Sequence, residues 1–460
     1  MKSNSLPDPA VPLLELVASR VVVRVAETMY SIATATTRFS ANDDGCRDRT
    51  IQRYPCDMVR CALIHRARRL VLCLTVAFAS ALTQPVHAQV EDSVIAHVRS
   101  LMADRAYASA YHLLEKHDPD HVSATAAVLR TDIVLQGFTK SIGHQVFGLK
   151  DLGPDEDLID LRNSDGTFDM VSWPANEELT ELLRIHSEDT GLHRALADFL
   201  FDAGSKYGDN WVMPGDSIYA LVAEHYRSVN DHGAGDAASW YRQGFAWLML
   251  DRSDSAVGPL TTAVRLDPGN AEGHYNLAYA SMQLDQRDRA LREAQAAYEI
   301  YTDGSARSDA ARLTGIMYEE KELLDSARYW LDLADKNEPD NYYTLRALLN
   351  NAIQAHRDSE ASIRQQFFSI APENTSTYEV LDKLYTTNDS TLIAFYRHCI
   401  DAADNSPLAT ANLHFFLGRM LLDSDKAAAK KELVAARAQF AELLPEDHEV
   451  FDVIDTLLSR

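Results

Sequence analysis

Small residues return at a fixed interval between residues 237 and 341 of this 460-residue chain, and that interval constrains the fold more than any other feature. Gly244 and Ala278 lie 34 residues apart, as do Ala256 and Ala290. In a unit counted from Ala237, Trp240, Gly244, Trp247, Ala256, Leu260, Ala263 and Pro268 occupy offsets 4, 8, 11, 20, 24, 27 and 32. The unit from Ala271 carries Leu277, Ala278, Ala290, Ala294 and Ala297 at offsets 7, 8, 20, 24 and 27. The unit from Ser308 repeats the pattern with Gly315, Tyr318, Ala327, Leu331, Ala334 and Pro339. A period of this length is one pair of antiparallel helices. Gly or Ala at offsets 8, 20 and 27 lets the two helices cross closely, and large apolar residues at 4, 7, 11 and 24 fill the space around each crossing. Pro268 and Pro339 stop the second helix, because proline lacks an N–H donor and clashes with the preceding turn. The third unit starts 37 residues after the second. Its three extra residues are expected in a loop, Thr302 to Arg307, where added length costs little.

These spacings resemble the tetratricopeptide repeat, with the specific match confined to 237–341. The resemblance implies an all-α fold, a right-handed superhelical solenoid of antiparallel helix pairs. It also implies a concave groove, lined by offsets 2, 5, 9, 12 and 13 of each first helix, that binds peptides or partner helices. In this chain those offsets yield Tyr241 and Phe245, Tyr275 and Tyr279, Arg312 and Ile316, then Arg346 and Asn350. Aromatic rungs followed by two arginines suit an extended ligand with apolar side chains and an acid group, and such residues dominate binding hot spots. Packing between units is the competing reading for Tyr241 and Tyr275. Co-chaperone members of the family clamp a C-terminal carboxylate with lysine at offset 5; no lysine stands there, so that function is not expected.

Weaker units flank the array. Residues 236–375 form the core array and 376–460 a degenerate continuation, with a short hairpin at Tyr378–Leu384 and Thr391–Ala402. His448 to Leu458 is expected to cover the end of the stack. Residues 89–121 read as another helix pair, Val90–Met102 and Tyr107–Lys116. The stretch 122–235 fits least. Ala124 to Val146 reads as one helix capped by Ser123, followed by helices at Glu177–His186, Leu192–Ala203 and Ser217–Val229. Between them lies a divergent, loop-rich insertion (147–215) of acidic and aromatic residues. Asp165-Gly166, flanked by Leu161 and Phe168, predicts a small hairpin.

The first 88 residues read as removable. Arg66, Arg68 and Arg69 precede an apolar run from Leu70 to Leu82, and Val86-His87-Ala88 fits a cleavage site, the layout of a secretory signal peptide. Thirteen apolar residues fall short of the ~20 that span a bilayer. Met58 supplies a start for this signal, which leaves 1–57 as a non-native or disordered extension. The mature chain would then begin at Gln89, in the periplasm or outside the cell, with no membrane insertion after cleavage. Four of the five cysteines precede residue 75, so only Cys399 remains, read as a buried structural thiol. Residues 1–88 hold 11 basic and 7 acidic side chains, which leaves 33 and 61 beyond them and a net charge of −28. Such acidity argues against nucleic-acid binding.

No catalytic spacing is present: there is no GxSxG, HExxH, P-loop or GxGxxG. His112, His117 and His121 with Asp118 and Asp120 match no zinc pattern. The acidic run Asp155, Glu156, Asp157, Asp160, Asp165 and Asp169 does not follow the EF-hand order and reads as a solvated loop. The expectation is therefore a non-enzymatic scaffold for a protein or peptide partner, without metal or cofactor. Two alternatives remain: a glycan or small-molecule binder using Trp173, Tyr207 and Trp211 of the insertion, and an enzyme with its site in 122–235. Intact-mass measurement of the protein from its native cell should give a chain beginning at Gln89; peptides from residues 1–57 would overturn the reading of the leader.

Overall fold

The computed structural model describes residues 90–459 apart from 165, 386–388 and 403–404, so the leader, the signal segment and Asp165 lie outside the described residues. The described chain is built of helices, with one small sheet. Helices α1 (Asp92–Ala103), α2 (Tyr107–His117) and α3 (Ala124–Gly137) lead to strands β1 (Lys140–Ile142) and β2 (Val146–Leu149). A short α4 (Leu158–Arg162) precedes β3 (Asp169–Ser172), then come α5 (Ala175–Ile185), α6 (Thr190–Tyr207) and α7 (Gly215–Asp231). The repeats continue as pairs: α8 (Ala237–Met249) with α9 (Ser253–Leu266), α10 (Ala271–Gln283) with α11 (Arg287–Ile300), α12 (Gly304–Glu320) with α13 (Leu324–Asn337), and α14 (Tyr342–Gln354) with α15 (Glu360–Ile370). Helices α16 (Thr375–Leu384), α17 (Ser390–Asp401), α18 (Pro407–Leu421), α19 (Lys426–Leu443) and α20 (Val450–Leu458) complete the chain. This is a tetratricopeptide-like helical-repeat solenoid.

The crossings explain the periodicity. A Cβ added to Gly244 would stand 2.5 Å from Leu260 Cγ, one on Gly315 2.7 Å from Leu331 Cγ, and one on Gly418 2.8 Å from Leu433 Cγ. Where offset 8 is alanine, as at Ala278, offset 24 shrinks to Ala294, and both are fully buried beside Leu313. The volume of the pair is thus shared, Gly with Leu or Ala with Ala. Each first helix packs on its own second helix and on the next first helix, along α8, α10, α12, α14 and α16. Direct contact along this row puts the first helices on the inside of the local curve.

The turns inside the pairs repeat as closely as the crossings. Arg105, Asp251, Asp285, Glu322 and His356 all have left-handed backbone, with φ between 50° and 60°. The next residue's N–H reaches back five residues in each case, as from Arg252 to Trp247 O and from Ala106 to Leu101 O, both at 2.8 Å. This is the helix-ending bond of a Schellman turn. Its presence between α1 and α2 makes the N-terminal pair a unit of the same kind.

Three local expectations fail. The helix from Ala124 ends at Gly137 rather than Val146, although Ser123 caps it as expected, its side chain accepting from Ala126 N–H. Gly137 lies against α2, where a Cβ would stand 2.2 Å from Tyr107 Cγ. The chain then turns at Gly143 and His144, both left-handed, and pairs β1 with β2. The hairpin at Asp165-Gly166 is replaced by this one: Leu161 belongs to α4, and β3 pairs with β2 in a sheet of order β1-β2-β3. The extra residues of the third unit are not a loop either. Asp303 caps α12 through Ala306 N–H, so they lengthen the helix to 17 residues.

The sheet is held by a buried charge network. Arg130 on α3 is fully buried and donates to Asp118 (2.9 Å), Glu115 (3.0 Å), Glu178 (3.4 Å) and Asp118 O (2.8 Å). Trp173 Nε1–H, just after β3, donates to Glu178 at 2.6 Å. Gly315→Ala should cost about 1–3 kcal/mol by overpacking the crossing. Adding Leu331→Ala to it should cost less than the two single changes summed, read from urea unfolding midpoints. Strict additivity would show that the two positions do not share volume.

Candidate binding surface

The eight predicted residues lie on the row of first helices, and most of them gather in two hollows. The first, of about 600 Å³, is lined by Tyr241 and Phe245 of α8, Glu272 and Asn276 of α10, Phe201 of α6 and Tyr301. Tyr241 and Phe245 stand 6.1 Å apart centre to centre, and Phe245 rests against Phe201 at 5.6 Å. The Tyr241 hydroxyl donates to Glu272 (3.1 Å) and accepts from Asn276 Nδ2 (3.2 Å). Burial, and then the Glu272 charge, push its pKa far up, so it stays a neutral donor.

The second hollow, of about 350 Å³, is lined by Arg312, Ile316 and Glu319 of α12, Tyr343, Arg346 and Asn350 of α14, and Leu384 of α16. Arg312 is held by Asp309 at 2.5 Å, with its guanidinium 5.6 Å from the Tyr343 ring. Arg346 is exposed and makes no ion pair or hydrogen bond among the described residues. Asn350 Nδ2 donates to Glu319 (3.1 Å), whose other oxygen is buried without a partner. Burial raises the Glu319 pKa above the ordinary carboxylate value.

Tyr275 and Tyr279 fall between the two hollows. Tyr275 is half-buried against the Ala278–Leu313 cluster and so packs between units, whereas Tyr279 is 40% exposed. Glu272, Glu319 and Tyr343 were missed, yet they occupy offsets 2 and 12 of their units and the same rule finds them. Phe201, Tyr301 and Leu384 come from outside the register, and no repeat signal marks them.

The insertion is differently made. Trp173 is fully buried and so cannot stack on a ligand as it stands. Trp211 and Tyr207 pack around the buried His144 ring, at 6.5 and 5.8 Å, with Phe199 at 4.5 Å and Phe147 at 5.3 Å. These aromatics are a core. The acidic and histidine clusters are tied into it: His121 bridges Glu178 and Glu115, His112 pairs with Asp169 at 2.5 Å, and Asp157 caps α4. Among the described residues no three His, Cys, Asp or Glu side chains group closely enough to hold a metal ion. Cys399 is a buried free thiol, its pKa pushed up to about 11 by burial. Among the described residues no helix is long and apolar enough to cross a membrane.

Solved structures similar to the chain include YrrB, described as a TPR protein with an unusual peptide-binding site (20% identity, 38% of this chain and 81% of that one, TM-score 0.33). They also include a MamA fragment from Desulfovibrio magneticus (16%, 39% and 92%, 0.33) and PilF from Pseudomonas aeruginosa (19%, 45% and 88%, 0.34). No family model matches the chain, and no curated protein matches it in sequence.

Two histidines of the insertion dictate an acid sensitivity. Burial holds His144 and His225 down to about 4, opposed by Asp202 at His144 and reinforced at His225 by His193, whose Nδ1 lies 2.7 Å away. Between about pH 4 and 6.5 the unfolded chain binds protons at these residues that the folded chain does not, so stability falls as pH falls, by at most about 1.4 kcal/mol per pH unit for each. His121 works oppositely: its hydrogen bond to Glu178 raises its pKa, and the stability it contributes is lost as pH rises through that raised value. His225→Gln should therefore lose about 1–2 kcal/mol less stability than the parent between pH 7 and pH 5. Equal losses in urea unfolding at the two pH values would contradict the assignment.

Proposed function

We propose that the chain is an exported, non-enzymatic scaffold that binds a protein or peptide segment along its row of first helices. One observation carries the reading: two open hollows lie in line on that face, and their walls keep unused binding capacity in Arg346, the free Glu319 oxygen and the exposed rings of Tyr279 and Tyr343. The perturbed groups of the insertion, by contrast, are buried in walls between elements and line neither hollow. A preformed face of this kind limits the ordering cost of binding to that of the partner. Cleavage after Ala88 would deliver this face to the periplasm or the exterior as an acidic, single-cysteine array.

Tyr241, Phe245, Tyr275, Tyr279, Arg312, Ile316, Arg346 and Asn350 are the residues assigned to the face, with Tyr275 contributing mainly through packing. Affinity capture from periplasmic extract, compared between the parent and a Tyr241→Ala plus Tyr279→Ala variant of unchanged helical content, tests the assignment. The partner should be lost or at least tenfold depleted with the variant. Recovery in equal amount by both would remove the concave face from consideration.

A further inference from the structure

The two hollows differ in chemistry, and the spacing between them is fixed by helix packing. The first is aromatic, with Tyr241, Phe245, Phe201 and Tyr301 around it. The second presents the exposed guanidinium of Arg346 beside Ile316 and Leu384. The first lies between α8 and α10 and the second between α12 and α14, two steps further along a row of helices that touch in succession. Packed helices lie roughly 8–10 Å apart, so the hollow centres are separated by roughly 16–20 Å. An extended chain advances about 3.3 Å per residue and covers that distance in about five or six residues.

We infer that the two hollows measure one extended segment that carries an aromatic or large apolar side chain and, about five or six residues from it, an acidic side chain. Charge selects the acid. Beyond residue 88 acidic side chains outnumber basic ones by 61 to 33, yet Arg346 faces the second hollow with no acid paired to it. An incoming carboxylate meets no neutralised cation there and forms a charge-assisted bond. The extended form follows from the buried Glu319 oxygen that no donor reaches. An extended backbone brings free N–H groups to such an acceptor, whereas a helix has already used its own. A helical ligand would also need roughly 11–13 residues to cover the same span at 1.5 Å per residue. Tyr279, exposed between the hollows, lies beneath the middle of the segment.

The inference rests on the scaffold reading, and the test separates the two. The full chain is panned against a random 16-residue phage-displayed library, and enriched sequences are remade as amidated fluorescent peptides for anisotropy titration. Enriched sequences should pair an aromatic or apolar residue with Asp or Glu at a separation of five or six. Arg346→Ala should weaken these peptides at least tenfold. Replacing the peptide's acid by Gln or Asn should cost the parent protein as much and the Arg346→Ala protein nothing, the signature of direct coupling. Because Arg346 is exposed and unpaired, its replacement leaves the fold intact, which the unfolding midpoint verifies. Peptides lost with Tyr241→Ala plus Tyr279→Ala but lacking the acid, showing no fixed separation, or spacing it at 11–13 residues would overturn the two-hollow inference and leave the scaffold reading standing. Peptides indifferent to every substitution on the face, or no enrichment at all, would overturn both.

Discussion

How closely two antiparallel helices approach at their crossing decides the rest of this structure. At that point two side chains share one fixed volume. Leucine on one helix requires glycine on the other, as in Leu260 with Gly244 and Leu331 with Gly315, and where alanine replaces glycine at Ala278 the partner is cut back to Ala294. Close packing leaves no slack for a different sum. Because every unit solves the same volume problem, successive units stack with the same offset and their first helices come into contact. The recognition face is the by-product of that contact. Its hollows are spaced by backbone packing and lined by residues that have no part in the crossing.

The same constraint explains why some features are legible in the sequence and others are not. Positions under close packing tolerate few residue types, so Gly244, Ala256 and Ala263 announce themselves at a period of 34 residues. Ser123 discloses its cap because only a short polar side chain accepts from the first turn. The sheet is hidden for the opposite reason. Its strands are three or four residues long, and β3 joins β2 from across residues 150–168, too short for an alternating pattern and too distant for a local signal. The longer α12 is hidden because one aspartate, Asp303, sets its start. On the face itself, Glu319 and Tyr343 follow from the register, whereas Phe201 and Leu384 arrive from helices outside it.

The insertion is less a loop than a wedge at the N-terminal end of the array. Arg130 has no access to water, and a buried guanidinium is tolerable only when its donors are answered, which Glu115, Asp118 and Glu178 do. Those acids belong to α2, the turn after it and α5, so the network ties the first repeat unit to the helices beyond the sheet. Its geometric demands are severe, since any one partner moved aside would leave charge stranded in a low dielectric. Such a network specifies how the insertion docks, whatever its net contribution to stability.

The five left-handed turns reach further than local geometry. At each, a residue with a side chain (Arg105, Asp251, Asp285, Glu322 or His356) stands where glycine would relieve about 1–2 kcal/mol of steric cost. The strain is shared out at one joint per unit, in a solenoid whose units touch only their neighbours. A single joint is therefore the weakest element locally and can loosen while the crossings beside it stay closed. The array then behaves as a segmented spring with a compliant hinge in every coil, and its inner surface can tighten or relax around a partner without any unit coming apart.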